Sequence, residues 1–173
     1  MPPSRTRVVL AFAAVYLCWG STYLAIRYAV ETLPPFLMAG TRYIVAGLPM
    51  YLWLRRKGGP RPTFAHWRSA VILGAFMMFG GNGLVSWAEQ TVPSSVAAVM
   101  IATLPLWMTL FDRFFFGGPS LHGGTIFGLL LGFGGVAWLM APSGDELARV
   151  DPVGGGVLML AAFLWSIGSL LSR

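Results

Sequence analysis

The chain has 173 residues, 56% of them hydrophobic and 10% charged, with a mean hydropathy of +0.70, whereas water-soluble domains run at about 25% charged. This excludes a water-soluble globular fold, and the lone cysteine, Cys18, excludes an intrachain disulfide or a thiolate metal cluster. Twelve Lys and Arg against six Asp and Glu give a net charge of +6. In a membrane chain that excess reports which side a loop occupies and implies no nucleic-acid partner.

A spanning helix needs about 20 apolar residues, so an all-α, polytopic transmembrane helix bundle of six spans is expected. The first apolar run is Val8 to Val30, too long for the apolar core of a secretory signal and followed by further spans. Thr32-Leu33-Pro34-Pro35 breaks it, since proline cannot continue a helix. A second run, Phe36 to Leu54, stops at the basic, turn-rich Arg55-Arg56-Lys57-Gly58-Gly59-Pro60-Arg61-Pro62. The third covers Ser69 to Ala88 and closes at Glu89-Gln90-Thr91-Val92-Pro93. Ser94 and Ser95 offer capping hydroxyls for a fourth, to Phe111, which ends at Asp112-Arg113 and the Gly117-Gly118-Pro119-Ser120 turn. The fifth runs from Gly123 to Ala141, ahead of Pro142-Ser143-Gly144-Asp145-Glu146, and the sixth begins near Val153 and is still apolar near Arg173.

A cytoplasmic N-terminus puts Arg5, Arg7, Arg55, Arg56, Lys57, Arg61, Arg68, Arg113 and Arg173 inside and only Arg149 outside. This asymmetry predicts a multi-pass protein of the inner or plasma membrane with that orientation. Compared with itself at an offset of 146 residues, the chain places Trp19 on Trp165 and Arg27 on Arg173. Apolar helices also align by chance. If the match is a repeat, the unit holds five helices, and an odd number of spans makes the next copy enter the membrane inverted. Residues 1-145 are then one repeat and residues 146-173 the first helix of a second. Two complete copies would need about 290 residues, so the chain is expected to be incomplete.

Trp19-Gly20-Ser21-Thr22-Tyr23-Leu24-Ala25-Ile26-Arg27-Tyr28, Leu33-Pro34-Pro35 and Ala39-Gly40-Thr41-Arg42-Tyr43 resemble the opening helices of the drug/metabolite transporter superfamily, in its EamA branch. Ala88-Glu89-Gln90-Thr91-Val92-Pro93-Ser94-Ser95-Val96-Ala97-Ala98 and Leu104-Pro105-Leu106 resemble that family's third-to-fourth helix segment. Where the family commonly has a Gly-Glu-Arg type turn after helix four, this chain reads Phe116-Gly117-Gly118-Pro119-Ser120. The resemblance implies a ten-helix carrier of two five-helix inverted repeats, often an exporter of amino acids, metabolites or drugs. Its partners would be the lipid bilayer, a small-molecule solute, and either a second copy of the chain or a missing second half.

The candidate site residues are few because polar groups within the spans are few. At 1.5 Å per residue, Arg27 lies about 5 Å and Arg42 about 10 Å below the outer surface, level with Glu31 and Glu89. Arg27, Glu31 and Glu89 could form an ion-paired gate, and Glu89 could carry a proton; alternatively Arg27 snorkels to the headgroups and Glu89 is solvated at its helix end. Arg42 is deeper, where a charge costs at least about 2.5 kcal/mol on insertion scales, and with Tyr43 it is a candidate for substrate binding. Trp19, Ser21 and Thr22 in mid-helix one either meet a solute or pack against a neighbouring helix. Asn82, among Gly80, Gly81 and Gly83, either coordinates a solute or bonds across the bundle. Trp87 is a cavity wall or an interfacial anchor, and Pro105 a hinge or a static kink.

Gly124, Gly128, Gly132 and Gly135 form a small-residue packing stripe. His66 and His122 fall in loops without ligand spacing, so no metal is assigned. No Lys-containing phosphate loop implies ATP, and no cofactor is expected. An intramembrane protease needs paired aspartates or Ser and His within the bilayer. Asp112 stands alone at a helix end, so no catalytic residue is assigned and a carrier is expected rather than an enzyme. A non-transporting fragment or accessory half-subunit is the alternative.

Overall fold

The computed structural model describes residues 4–140 and 151–173. Among these residues the chain is an all-α membrane helix bundle: α1 (Arg5–Val30), α2 (Pro35–Arg56), α3 (Phe64–Ala88), α4 (Ser94–Phe115), α5 (Gly123–Met140) and α6 (Pro152–Leu171). All six spans read from the sequence form as helices. The expected break after α5 at Pro142 to Glu146, and Arg149, lie outside the described residues. By length and composition α1, α3, α4 and α6 can each cross a membrane, since their residues rise about 1.5 Å apiece through a hydrocarbon core of about 30 Å.

The helix ends follow local chemistry. Ser4 caps α1 by accepting from the Arg7 N–H at 3.4 Å, and Pro35 sits in the first turn of α2, where its missing N–H costs nothing. Thr63 and His66 make a reciprocal cap on α3. The Thr63 N–H donates to His66 Nδ1 at 3.1 Å, and the His66 N–H donates to Thr63 Oγ1 at 3.4 Å. The role of His66 is therefore helix initiation.

Two spans carry interruptions. From Gly74 to Gly83, α3 is wound as a π-helix, a wider form that is rare and concentrates at functional sites. In α4 the helix resets at Ala102 and Thr103: the Thr103 N–H and hydroxyl both donate to the Met100 carbonyl, at 3.2 and 2.6 Å. The reset lies just ahead of Pro105, whose nitrogen has no proton to continue the ladder.

Asp151 caps α6. Its carboxylate accepts from the N–H groups of Gly154 at 3.0 Å and Val153 at 3.2 Å, and from the Thr91 hydroxyl at 3.2 Å. Those donors, Gly154 first, hold its carboxyl below the usual value. A folded-state value depressed in this way adds stability above the unfolded-state value and loses it as pH falls through the folded one. Asp151→Ala is accordingly expected to lower the unfolding temperature in detergent micelles at neutral pH. The difference from wild type should close as pH falls below the carboxylate range.

The core forms around α6. Leu158, Ala161 and Ala162 are fully buried against Val85 and Ala88 of α3 and Ala97 and Met100 of α4. Glycines bring α3 and α6 close: a Cβ at Gly81 would lie 3.0 Å from the Trp165 ring, and one at Gly168 would lie 2.5 Å from Met77 Cγ. α1 meets α2 through Ile26, Val30 and Met38. α5 leans on α4, with Gly132 over Leu106 and Phe133 edge-on to Trp107 at 5.2 Å. Among the described residues, Gly132 alone of the small-residue stripe is closely packed, and a Cβ at Gly124, Gly128 or Gly135 would meet nothing within 4 Å.

Candidate functional site

A polar cluster joins α2 to the π-helical part of α3. Arg42 is half-buried, and its Nη2 donates to Asn82 Oδ1 at 2.9 Å and to the Tyr43 hydroxyl at 3.1 Å. Its guanidinium also lies 5.0 Å from the Tyr43 ring centroid, within cation–π range. Asn82 is only 7% exposed, and its amide donates, at the long limit of 3.5 Å, to the Met77 carbonyl five residues back. The Asn82 carbonyl in turn accepts from the Ser86 hydroxyl at 2.9 Å. Arg42, Tyr43 and Asn82, picked out separately in the sequence, are therefore one hydrogen-bonded unit. A charge-assisted bond of this kind is about twice as strong as a neutral one.

A cavity of about 480 Å³ lies between α1, α3, α4 and α6. Trp19 and Tyr23 line it from α1, Met77 from α3, Ala102 from α4, and Trp165 and Ser169 from α6. Met77 links the cavity to the polar cluster, because its carbonyl receives the Asn82 amide. Trp19 and Trp165 are the two tryptophans that the 146-residue offset superimposes, and they share this one space. Nearby, the Ser166 hydroxyl bonds to Ala162 of its own helix at 2.7 Å and to the Leu104 carbonyl of α4 at 3.2 Å, pinning α6 beside the reset in α4. With aromatic rings, a thioether and few hydroxyls on its walls, the space suits a solute with an apolar or aromatic body.

The other sequence candidates take different places. The Ser21 hydroxyl bonds to Leu17 and Cys18 of its own helix, and the Thr22 hydroxyl to Cys18, which leaves them helix-bound. Trp87 is half-buried against the α3–α4–α6 core and does not line the cavity. Arg27 donates to the backbone carbonyl of Glu89. The Glu89 side chain is 0% exposed, not solvated at a helix end, and neither carboxyl oxygen has a hydrogen-bond partner among the described residues. Glu31 is exposed beyond the end of α1.

Sequence reasoning missed Tyr23 and Ser169, although each stands four residues beyond a tryptophan, Trp19 or Trp165, and so on the same helical face. It also missed the pairing of Asp112 with Arg173 at 2.8 Å, which ties the far ends of α4 and α6. Sixty-one positions separate the two, and no local pattern joins them.

The model of the EamA-like transporter family matches residues 6–141. The uncharacterized inner membrane transporter YedA of Escherichia coli K12 is 36% identical over 161 residues, covering 92% of this chain and 51% of the relative. The uncharacterized transporter YoaV of Bacillus subtilis 168 is 26% identical, covering 96% of this chain and 57% of the relative. A probable amino-acid metabolite efflux pump of Escherichia coli K12 is 24% identical, covering 98% of this chain and 54% of the relative. The chain thus spans about half the length of these relatives, and no solved structure matches it. With most of its length under the family model and, among the described residues, a helix bundle with four helices long and apolar enough to cross a membrane, this multi-pass membrane chain belongs to the EamA-like transporter family.

Proposed function

We propose that the protein is a secondary transporter, an exporter of small metabolites, amino acids or drugs rather than an enzyme, and that its solute occupies the cavity between Trp19 and Trp165. The observation that carries this reading is the cavity itself, about 480 Å³, open on one side, bordered by four helices and flanked by aromatic rings. That volume lies within the range of small-molecule sites, roughly 300–1,000 Å³. The efflux function named for one relative agrees with it.

In this reading the N-terminus is cytoplasmic, α1 to α5 are one inverted-repeat unit and α6 opens the next. The units rock about the site so that it faces each side of the membrane in turn. The π-wound part of α3 and the reset before Pro105 are where the helices flanking the cavity bend most readily, because their backbone ladders are already interrupted. Arg42, held by Asn82 and Tyr43, does not line the cavity but is joined to its wall through the Asn82–Met77 bond, and it supplies a fixed positive charge for a solute carboxylate on the α2 side of that wall.

Reconstitution into liposomes tests the reading. Labelled amino acids and organic cations should exchange across vesicles containing the protein faster than across protein-free vesicles. No exchange over that whole panel would overturn it. A second reading, a half-subunit that works only with another chain, draws on the span of about half the relatives' length. Cross-linking in native membranes distinguishes it, since it requires a product larger than the chain itself.

A further inference from the structure

We propose that Glu89 is a proton-binding site that exchanges its proton for the Arg27 guanidinium, and that this exchange is coupled to the solute cavity through Tyr23. The inference rests on the transport reading above and adds a coupling ion to it. Three observations carry it. The Glu89 side chain is 0% exposed, yet both its carboxyl oxygens are buried without a hydrogen-bond partner among the described residues. Buried polar groups are nearly always paired, and an orphan calls for an explanation. The cation next to it, Arg27, is not on the carboxyl but on the carbonyl of the same residue. Tyr23, packed against the buried cluster that includes Ala88, next to Glu89, is also a wall of the cavity.

Together these give a site with two arrangements. With a proton on the carboxyl the group is neutral and Arg27 rests on the carbonyl, as in this structure. When the proton leaves to water, a buried carboxylate without a partner is costly, and the guanidinium that now rests on the backbone carbonyl of the same residue swings onto it to form the ion pair. The proton is taken from and returned to solvent water, Arg27 keeps its charge throughout, and no bond other than O–H is made or broken.

Of the ionisable groups of α1, Arg27 bonds to the Glu89 carbonyl and Tyr23 packs against the cluster that holds Ala88. From α6 the nearest acidic group is Asp151, already engaged by Thr91 and the helix N-terminus. Because Arg27 and Tyr23 are one turn apart on α1, a swing of Arg27 bears on the helix that carries both Trp19 and Tyr23 into the cavity. A proton bound on one side is thereby linked to the solute held on the other.

The test uses the protein in lipid and has two parts. Infrared difference spectra across a pH step should show a protonated-carboxyl band in the wild type that is missing in Glu89→Gln. Persistence of the band in the variant, or its absence from the wild type, overturns the proton site. In proteoliposomes, labelled phenylalanine and benzyltrimethylammonium serve as an aromatic zwitterion and an aromatic cation. An imposed pH gradient should raise wild-type flux of at least one probe by about tenfold, a differential interaction of about 1.4 kcal/mol. Glu89→Gln should exchange that probe without responding to the gradient, which also reports that the variant is folded. Wild-type exchange indifferent to the gradient overturns the coupling and leaves the transport reading standing. No wild-type exchange of either probe overturns the coupling together with that reading, while the infrared result still decides the proton site.

Discussion

Asn82→Leu is expected to destabilise the protein by about 1.5–3 kcal/mol, the range for a lost hydrogen bond to a charged group, and to reduce solute flux by a similar factor of about 10 to 100. The reason is the asymmetry of buried polar pairs. Arg42 keeps its charge and loses the carbonyl oxygen that holds it at 2.9 Å, leaving only the Tyr43 hydroxyl and ring. The double variant Arg42→Met, Asn82→Leu removes the charge as well, so most of the stability should return while flux does not. Thermal unfolding and vesicle flux of the three proteins measure the two effects separately. Flux that recovers along with stability in the double variant would make the cluster purely structural.

Gly168→Val is expected to damage the fold by a comparable amount through a steric route. A Cβ there would stand 2.5 Å from Met77 Cγ and 2.9 Å from Phe76 Cβ, so α6 must move off the π-helical part of α3. Overpacking of a close-packed core costs about 1–3 kcal/mol. Here the cost falls on the contact that holds the central helix, and the yield of folded protein should fall sharply. Gly128→Ala on α5, where a Cβ meets nothing within 4 Å, is the matched control and should leave the yield unchanged. Equal loss in both variants, read from size-exclusion profiles in detergent, would contradict this assignment of the core.

The spans were legible because runs of about twenty apolar residues leave few alternatives in a chain this poor in charge. Three predicted elements illustrate what else could be read. The glycines around Asn82 signalled a weakened α3, and a π-helix is what forms there. Pro105 signalled a disturbed α4, and the ladder resets two residues ahead of it. Arg42 and Asn82 were each conspicuous as polar groups within a span, but their pairing was not, because it spans forty positions and depends on how α2 lies on α3.

For Glu89 the alternative of a solvated carboxylate is overturned, since the residue is buried. A carboxylate at a helix end is ordinarily hydrated, and nothing local distinguishes this one. Its burial comes from tertiary structure. The Glu89 to Pro93 turn folds under α1 and against the start of α6, where Val92 is fully buried and Thr91 binds the Asp151 carboxylate. Ser21 and Thr22 make their bonds within α1. Their hydroxyls reach back one turn to their own helix, as such groups do when no better acceptor is offered.

The cavity was half legible. The 146-residue offset placed Trp19 and Trp165 in equivalent positions but not in one space, and their meeting follows from α1 and α6 both packing on α3 and α4. The central claim is that this space holds the solute. It is tested most directly by concentration-dependent flux through liposomes carrying the wild type and the Trp19→Ala, Trp165→Ala double variant. Loss of two aromatic walls should raise the half-saturating solute concentration by about tenfold or more. The same half-saturation in both proteins would contradict the assignment.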